Sequence, residues 1–391
     1  MLQLTYKYRL YPNQQQTEQI EKTCHGVRYI YNKLLEDRTS YYRKTGKWKK
    51  LDRRSLGEPH FLDGVDPGAL DWAQSRLEAA YRNFFYTEKT KPDKYRPDRI
   101  LAAEEDLTYK LMDTDLVSYP KYKKKKTTKE SYTTPLPEFN VIKSKVKLPG
   151  VGAVKIRYHR AVPEDARILS GTVLKNSAGN YFLLVKFYLP EVPAKKDLSV
   201  PLGVALAPGR LAVRSDGESV NYRHTDTELQ KRIDRAYKSL KRRQPGSHRY
   251  EKQRKYLASL YEHRANQRRD DLHKAARQIT NAADAVYMQQ ANVMEQLFQM
   301  KSPESRAMLL DEATWTFSYF VRYKLLLEGK WFWSVPKEGL IFSICSKCNK
   351  VQKMGQKGDW VCPACGVRMG LYENAAGNLE NIARQYIRAK T

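Results

Sequence analysis

Four of the five cysteines in this chain stand in two Cys-x-x-Cys turns, Cys345-Ser-Lys-Cys348 and Cys362-Pro-Ala-Cys365, thirteen residues apart. Each turn brings two thiolates to one ion at about 2.3 Å, and Asn349 to Val361 is long enough to run out and back as a short hairpin. The spacing predicts a structural, tetrahedral Zn²⁺ ribbon held by Cys345, Cys348, Cys362 and Cys365. A catalytic zinc would need an open position for water, and four thiolates leave none. No charged segment followed by an apolar stretch opens the chain, so a reducing cytoplasm is expected, with thiols rather than disulfides. Cys24 lies in an apolar-periodic segment and reads as a small core residue.

The ribbon is a fraction of 391 residues, enough for several domains. Lys and Arg number 71 against 43 Asp and Glu, a formal charge of +28. Hydrophobic residues at 41% are sufficient for packed cores. A mean hydropathy of −0.72, with no apolar run near twenty residues, excludes a membrane span and leaves a nucleic-acid binder.

Leu2 to Tyr11 alternates with period two and reads as a strand ending at Pro12-Asn13. Gln14 to Ser40 and Ala69 to Tyr86 carry apolar residues at helical spacing. Past the lysine run Lys121, Lys123, Lys124, Lys125 and Lys126, strands are expected at 145–148, 151–158, 168–175 and 181–189. Leu2 to Tyr11 is their natural partner, making the helices an insertion into a β-barrel. A Pro-punctuated linker at 190–197 precedes a strand hairpin at 200–214. Between Gln230 and Arg277 a helical hairpin, broken at 244–247, holds sixteen Lys or Arg against five Asp or Glu, an excess that suits phosphate contact. Leu229, Ile233, Tyr237 and Leu240 are expected on its first apolar stripe, Tyr256, Leu260 and Leu272 on its second. A buried strand at 285–288, a helix at 307–328, strands at 330–335 and 340–343, and a last helix at 373–390 complete the reading.

The 27 tyrosines often neighbour Lys or Arg, as in Tyr6-Lys-Tyr-Arg, which suits base stacking combined with phosphate neutralisation. Candidate nucleic-acid contacts are Tyr6, Lys7, Arg9, Tyr11 and Asn13, the lysine run 121–126, and Arg242, Arg243, Arg254, Arg268 and Arg269 of the hairpin.

The segments Tyr6-Lys-Tyr-Arg-Leu-Tyr-Pro-Asn13, Val27-Arg-Tyr-Ile-Tyr-Asn-Lys33, Ala80-Tyr-Arg-Asn-Phe-Phe85, Tyr119-Pro-Lys-Tyr-Lys123, Ala265-Asn-Gln-Arg268, the cysteine ribbon and Asn374-Ala-Ala-Gly-Asn378 occur in this order from end to end. Together they resemble the TnpB family of transposon-encoded RNA-guided nucleases, relatives of compact type V CRISPR effectors. The resemblance implies an α/β multidomain fold. It comprises a wedge-like β-barrel (1–12 and 118–196), an inserted helical recognition domain (13–117), an RNase H-like RuvC domain (197–341 and 369–391) and the inserted zinc ribbon (342–368). It further implies that Trp72, Gln74 and Ser75 help read a flanking DNA motif.

Cutting in that family needs three carboxylates to hold two divalent metals. The family's first-strand Asp aligns with Ala205, its later Glu with Gln289, and its last Asp with Tyr372. All three are lost in different ways, as expected of natural decay rather than a single engineered change. The resemblance therefore points to the nuclease-dead TldR branch. The expected protein is a repressor that binds a guide RNA and a double-stranded DNA target beside a short motif, without catalytic Mg²⁺, as a monomer in a ribonucleoprotein of the nucleoid. Two alternatives stay open. One is an active nuclease whose metals shift to Glu373, Asp216, Glu295 or Asp284, and the other is a guide-independent nucleic-acid binder serving a transposase.

Overall fold

The computed structural model describes residues 2–47, 49, 51–57, 59–90, 119–125, 130–136, 139, 141–190, 199–221, 227–290, 302, 306, 313–335, 340–351 and 359–388. Lys126, Glu295 and all but the first residue of the expected linker at 190–197 lie outside them. The chain divides into two compact units, Met1–Glu191 and Val192–Thr391.

In the first unit, strand β1 (Leu2–Tyr11) runs into helix α1 (Gln14–Thr45), followed by α2 (Pro67–Thr90). Asn13 and Gln16 form a reciprocal capping box at the start of α1, and Gly46, at φ 65°, closes its end. Strands β2 (Glu130–Thr134), β3 (Val141–Ile142), β4 (Lys145–Leu148), β5 (Gly152–Arg157), β6 (Arg167–Lys175) and β7 (Tyr181–Leu189) join β1 in one sheet, ordered β2-β6-β7-β1-β5-β4-β3. β1 is central, antiparallel to β7 on one side and β5 on the other. Among the described residues no pairing joins the edge strands β2 and β3. Period two holds throughout β1: Leu4, Tyr8 and Leu10 are buried, while Gln3, Thr5, Lys7 and Tyr11 are exposed.

The second unit has a five-stranded sheet ordered β10-β9-β8-β11-β12. It begins with β8 (Pro201–Ala207), β9 (Arg210–Arg214) and β10 (Ser219–Val220), an antiparallel meander. Helices α3 (Thr227–Lys241) and α4 (His248–Ala282) follow. Then come β11 (Ala285–Gln289), α5 (Thr314–Leu327) and β12 (Trp331–Val335), with β11 parallel to both β8 and β12. A short hairpin of β13 (Asp359–Val361) and β14 (Arg368–Gly370) leads into α6 (Leu371–Arg388).

All seven residues of β8 are buried because both sheet faces are covered. Leu202, Val204 and Leu206 join Val286, Met288 and residues of α4 and α5 on one face. Ala205 joins Tyr287 and the α6 residues Ala375, Ala376, Leu379 and Ala383 on the other.

Three expectations are corrected. Residues 340–342 form a 3-10 turn, not a strand. The stripe joining α3 to α4 is Leu229, Ile233, Ala236, Leu257 and Leu260, with Tyr237 and Tyr256 turned outward. A small Ala236 lets the two helices approach, and the tyrosine beside it packs under the Lys241 ammonium instead. Leu272 belongs to the core under the sheet.

Candidate nucleic-acid interface and metal centre

Cross-strand register gathers charge on the open face of the first unit's sheet. Directly paired residues point the same way, so Lys7 and Arg9 of β1, Lys155 and Arg157 of β5, and Lys145 and Lys147 of β4 share one face. Arg9 stands opposite Arg157 and Lys145 opposite Lys155. Lys186 of β7, opposite Thr5, extends the patch. Apart from β2, no strand of this sheet contains an acidic residue. Like charges placed opposite each other repel, so the sheet carries this arrangement at a cost that a polyanion would reverse. Sequence reasoning found Lys7 and Arg9 but missed Lys145, Lys147, Lys155, Arg157 and Lys186. Their signal was the alternation Lys-Val-Lys-Leu and Val-Lys-Ile-Arg.

Aromatic rings interleave with these cations. The Lys7 ammonium sits 3.9 Å from the Phe182 ring centre and Arg9 lies over Phe182 and Tyr11, while on the sheet's other face Arg160 is 4.1 Å from the Tyr6 ring. Tyr6 is half-buried and Tyr11 exposed.

The other predicted contacts fall into two groups. Asn13 is consumed by its helix cap, and Gln74 accepts from the Arg53 backbone and donates to Glu78. Arg243 donates to the Arg249 carbonyl and Arg254 pairs with Glu251. Trp72 and Arg268 are half-buried. Ser75, Lys121, Lys124, Lys125, Arg242 and Arg269 are exposed. Lys123 differs from its neighbours. Asn32 clamps its backbone with two hydrogen bonds, its ammonium lies 3.9 Å from the Tyr31 ring, and burial, reinforced by Arg76, lowers its pKa to about 8. Burial pushes the Cys24 thiol up to about 12, in keeping with a core role.

The second unit brings Ala205, Gln289 and Tyr372 together. Ala205 is fully buried at the centre of β8. Extending the β8–β11 register by one step sets Gln289, the last residue of β11, beside it on the same face. Tyr372 lies in the first turn of α6, packed against the apolar cluster that contains Ala205, its ring edge-on to Phe342. The backbones of β8 and α6 meet at Gly203, where a Cβ would lie 1.9 Å from the Ala376 carbonyl oxygen. Ala376 follows Tyr372 by one helical turn, so this contact fixes the start of α6 over the sheet. Gln289 is 4% exposed, and its side-chain oxygen has no hydrogen-bond partner.

These residues do not fit a pair of divalent cations. Alanine offers no donor, the amide carries no charge, and the surroundings are alanine, leucine and aromatic rings. The carboxylates expected as substitutes, where described, are otherwise engaged. Glu373 accepts the Gly370 N–H at the start of α6, Asp216 pairs with Arg214, and Asp284 faces Lys330 at 3.9 Å. Among the described residues, the one group of three or more metal-donor side chains is the four cysteines.

Those cysteines fit zinc. Their sulfurs lie within 4.8 Å of one another, with Cys345–Cys365 at 3.8 Å and Cys348–Cys362 at 3.7 Å. A tetrahedron with bonds of about 2.3 Å has edges of about 3.8 Å. The two knuckles are built alike. Cys345 N–H donates to Lys350 and Asn349 N–H returns to Cys345, while Cys362 N–H donates to Val367 and Gly366 N–H returns to Cys362. Asn349 and Gly366 occupy the same left-handed position, at φ 57° and 72°. The β13–β14 hairpin closes around the second knuckle, and an Ile344–Val351 bridge around the first. Helix α6 grips the ribbon through three asparagines one face apart. Asn374 joins the Ser346 N–H to the Ile344 carbonyl, Asn378 donates to the Ile341 and Ile344 carbonyls, and Asn381 donates to that of Ser346.

Among the described residues, no helix is long and apolar enough to cross a membrane. Residues 1–47 match a family model described as a helix-turn-helix domain of IS605 OrfB proteins, and residues 186–297 one described as a probable transposase. The first stretch holds one strand and one helix, without a second helix after a turn. A Streptomyces pristinaespiralis protein with the provisional name RNA-guided DNA endonuclease is 24% identical over 96% of this chain and 88% of its own length. Escherichia coli K12 InsQ, provisionally named in the same way, is 23% identical over 70% of this chain and 63% of its own. A Cas12f1–sgRNA–target DNA complex seen by cryo-EM aligns with 97% of this chain and 99% of its own at 14% identity, with a TM-score of 0.43, too low to bear on the argument. Residues 1–47 and 186–297 thus match models of IS605 OrfB proteins, and two relatives at 23–24% identity carry the provisional name RNA-guided DNA endonuclease.

Proposed function

We propose that this chain is a guide-RNA-dependent DNA-binding protein that does not cut, and that it represses transcription by occupying a promoter beside a short flanking motif, as expected of the TldR branch. The observation that carries this reading is the convergence of Ala205, Gln289 and Tyr372 on one apolar spot at the joint of β8, β11 and α6. The strand order β10-β9-β8-β11-β12 suits an RNase H-like RuvC domain, whose metal carboxylates belong at such a joint. Metal-assisted phosphodiester hydrolysis needs anionic oxygens to clamp two cations. An alanine, an amide and a phenol supply none.

Binding needs no such site. Guide pairing supplies sequence specificity, and the protein supplies a positive surface and reads a short duplex motif. The acid-free sheet face of Lys7, Arg9, Lys145, Lys147, Lys155 and Arg157 suits the guide scaffold or adjoining duplex as a wedge domain would. The helical segment 13–117 would serve motif reading through Ser75 and its neighbours, and α3–α4 the heteroduplex. The cysteine ribbon would hold a structural Zn²⁺.

The test is to purify the chain with its co-expressed RNA and sequence that RNA. One dominant species with a fixed scaffold and a genome-matching end is expected, with tight binding of the matching DNA and no cleavage of it in Mg²⁺. Cleavage of the matching plasmid would overturn the loss of nuclease activity, and a heterogeneous RNA population would overturn guidance.

A further inference from the structure

The outer face of α5 is aromatic where a solvated helix would be charged. Trp315 is 64% exposed and Tyr319, one turn on, 44% exposed, their rings parallel within 7° at 6.0 Å between centroids. Tyr323 continues the row at 5.6 Å from Tyr319. Phe320 and His273 of α4 stack at 3.9 Å beneath it, with the Arg269 guanidinium 6.0 Å from the Phe320 ring. Exposed Arg322 falls one turn beyond Tyr319. Helix α5 contains Arg322 and Lys324 and no acidic residue.

Trp, Tyr and Arg are also enriched in protein–protein interfaces, so what favours a nucleic-acid partner here is the parallel setting of the exposed rings beside the cations of α5. Parallel exposed rings beside Arg322 and Lys324 match unpaired bases, whose faces stack on aromatic side chains while arginines meet the phosphates. A paired duplex cannot use such rings, because its base faces are already stacked.

We infer that the Trp315–Tyr319–Tyr323 face, with Arg269 and Arg322, is a stacking platform for single-stranded nucleic acid. Where the protein opens a duplex by guide pairing, the strand left unpaired is the natural occupant. That clause rests on the proposed function, whereas single-strand binding itself does not.

The test uses the full-length protein without guide and two probes of equal length, an oligo(dT) strand and a DNA duplex. Trp315→Ala with Tyr319→Ala is expected to weaken oligo(dT) binding at least about tenfold, as loss of one or more stacked bases would, while duplex affinity changes less than about twofold. Trp315→Phe with Tyr319→Phe keeps the rings and should retain most of the affinity. Oligo(dT) quenching of tryptophan fluorescence should fall with the Trp315 substitution. An unchanged oligo(dT) affinity in the alanine variant, or equal losses on both probes, would overturn the inference. So would an altered oligomeric state with single-strand binding intact, which would assign the face to a second copy of the chain. Guided target binding, measured separately with the purified ribonucleoprotein, distinguishes failure of the platform from failure of guidance.

Discussion

Gly203 of β8 and Ala376 of α6 meet so closely that one added methyl group would lie 1.9 Å from the Ala376 carbonyl oxygen and 2.6 Å from the Glu380 nitrogen. Both neighbours are backbone, so neither can turn aside. Gly203→Ala should therefore lift α6 from the sheet and cost about 3 kcal/mol or more. Thermal melting checks this, and a loss near zero would mean that α6 shifts freely.

Restoring carboxylates should create a need for cations. Ala205→Asp alone puts an acid into an apolar cluster and should cost about 3 kcal/mol. Adding Gln289→Glu and Tyr372→Asp brings like charges together, which a divalent cation would relieve. The triple variant is expected to melt several degrees higher in Mg²⁺ than in EDTA, with little difference for the natural chain. Equal melting in both solutions would show that the three positions do not converge on one ion.

Asn378 donates to two carbonyls at the entrance of the ribbon and is 6% exposed. Asn378→Leu keeps the approximate volume and strands both acceptors, for a loss of about 2–3 kcal/mol. Because folding and metal binding are linked, the variant should release zinc to a chelator faster than the natural chain. A colorimetric zinc-release assay reads this directly.

The basic sheet face predicts a salt response opposite to that of a protein stabilised by ion pairs. Arg9 faces Arg157 and Lys145 faces Lys155, each pair worth a few tenths to about 1 kcal/mol of repulsion. Raising ionic strength should raise the melting temperature of the free protein by screening them. Arg157→Gln with Lys155→Gln should flatten that response while weakening RNA binding.

Regular strands and helices were legible wherever period and burial agreed. β1 and β7 alternate or run apolar over their whole length, and their bounds follow from residue type. β2 was missed because Glu130-Ser-Tyr-Thr-Thr lacks alternation, three of its residues being buried in succession. The stretch 340–342 has strand-like side chains but forms a 3-10 helix, with the Ile341 carbonyl taken by Asn378. Tyr237 looked like core because hydrophobic spacing does not say which of two adjacent residues faces inward. Ala205, Gln289 and Tyr372 are singled out only by the family resemblance, as they share no pattern in the chain. The asparagine grip escaped notice although Asn374, Asn378 and Asn381 recur at spacings of four and three. Spacing alone does not tell a solvated row of amides from a buried one, and only the burial of Asn374 and Asn378 reveals them as fasteners.

That grip makes α6 a shared beam. One side lies on β8 through Gly203, and the other is riveted to the cysteine ribbon. A fault at one end is therefore felt at the other: losing a thiolate would loosen the beam and, with it, the central strand.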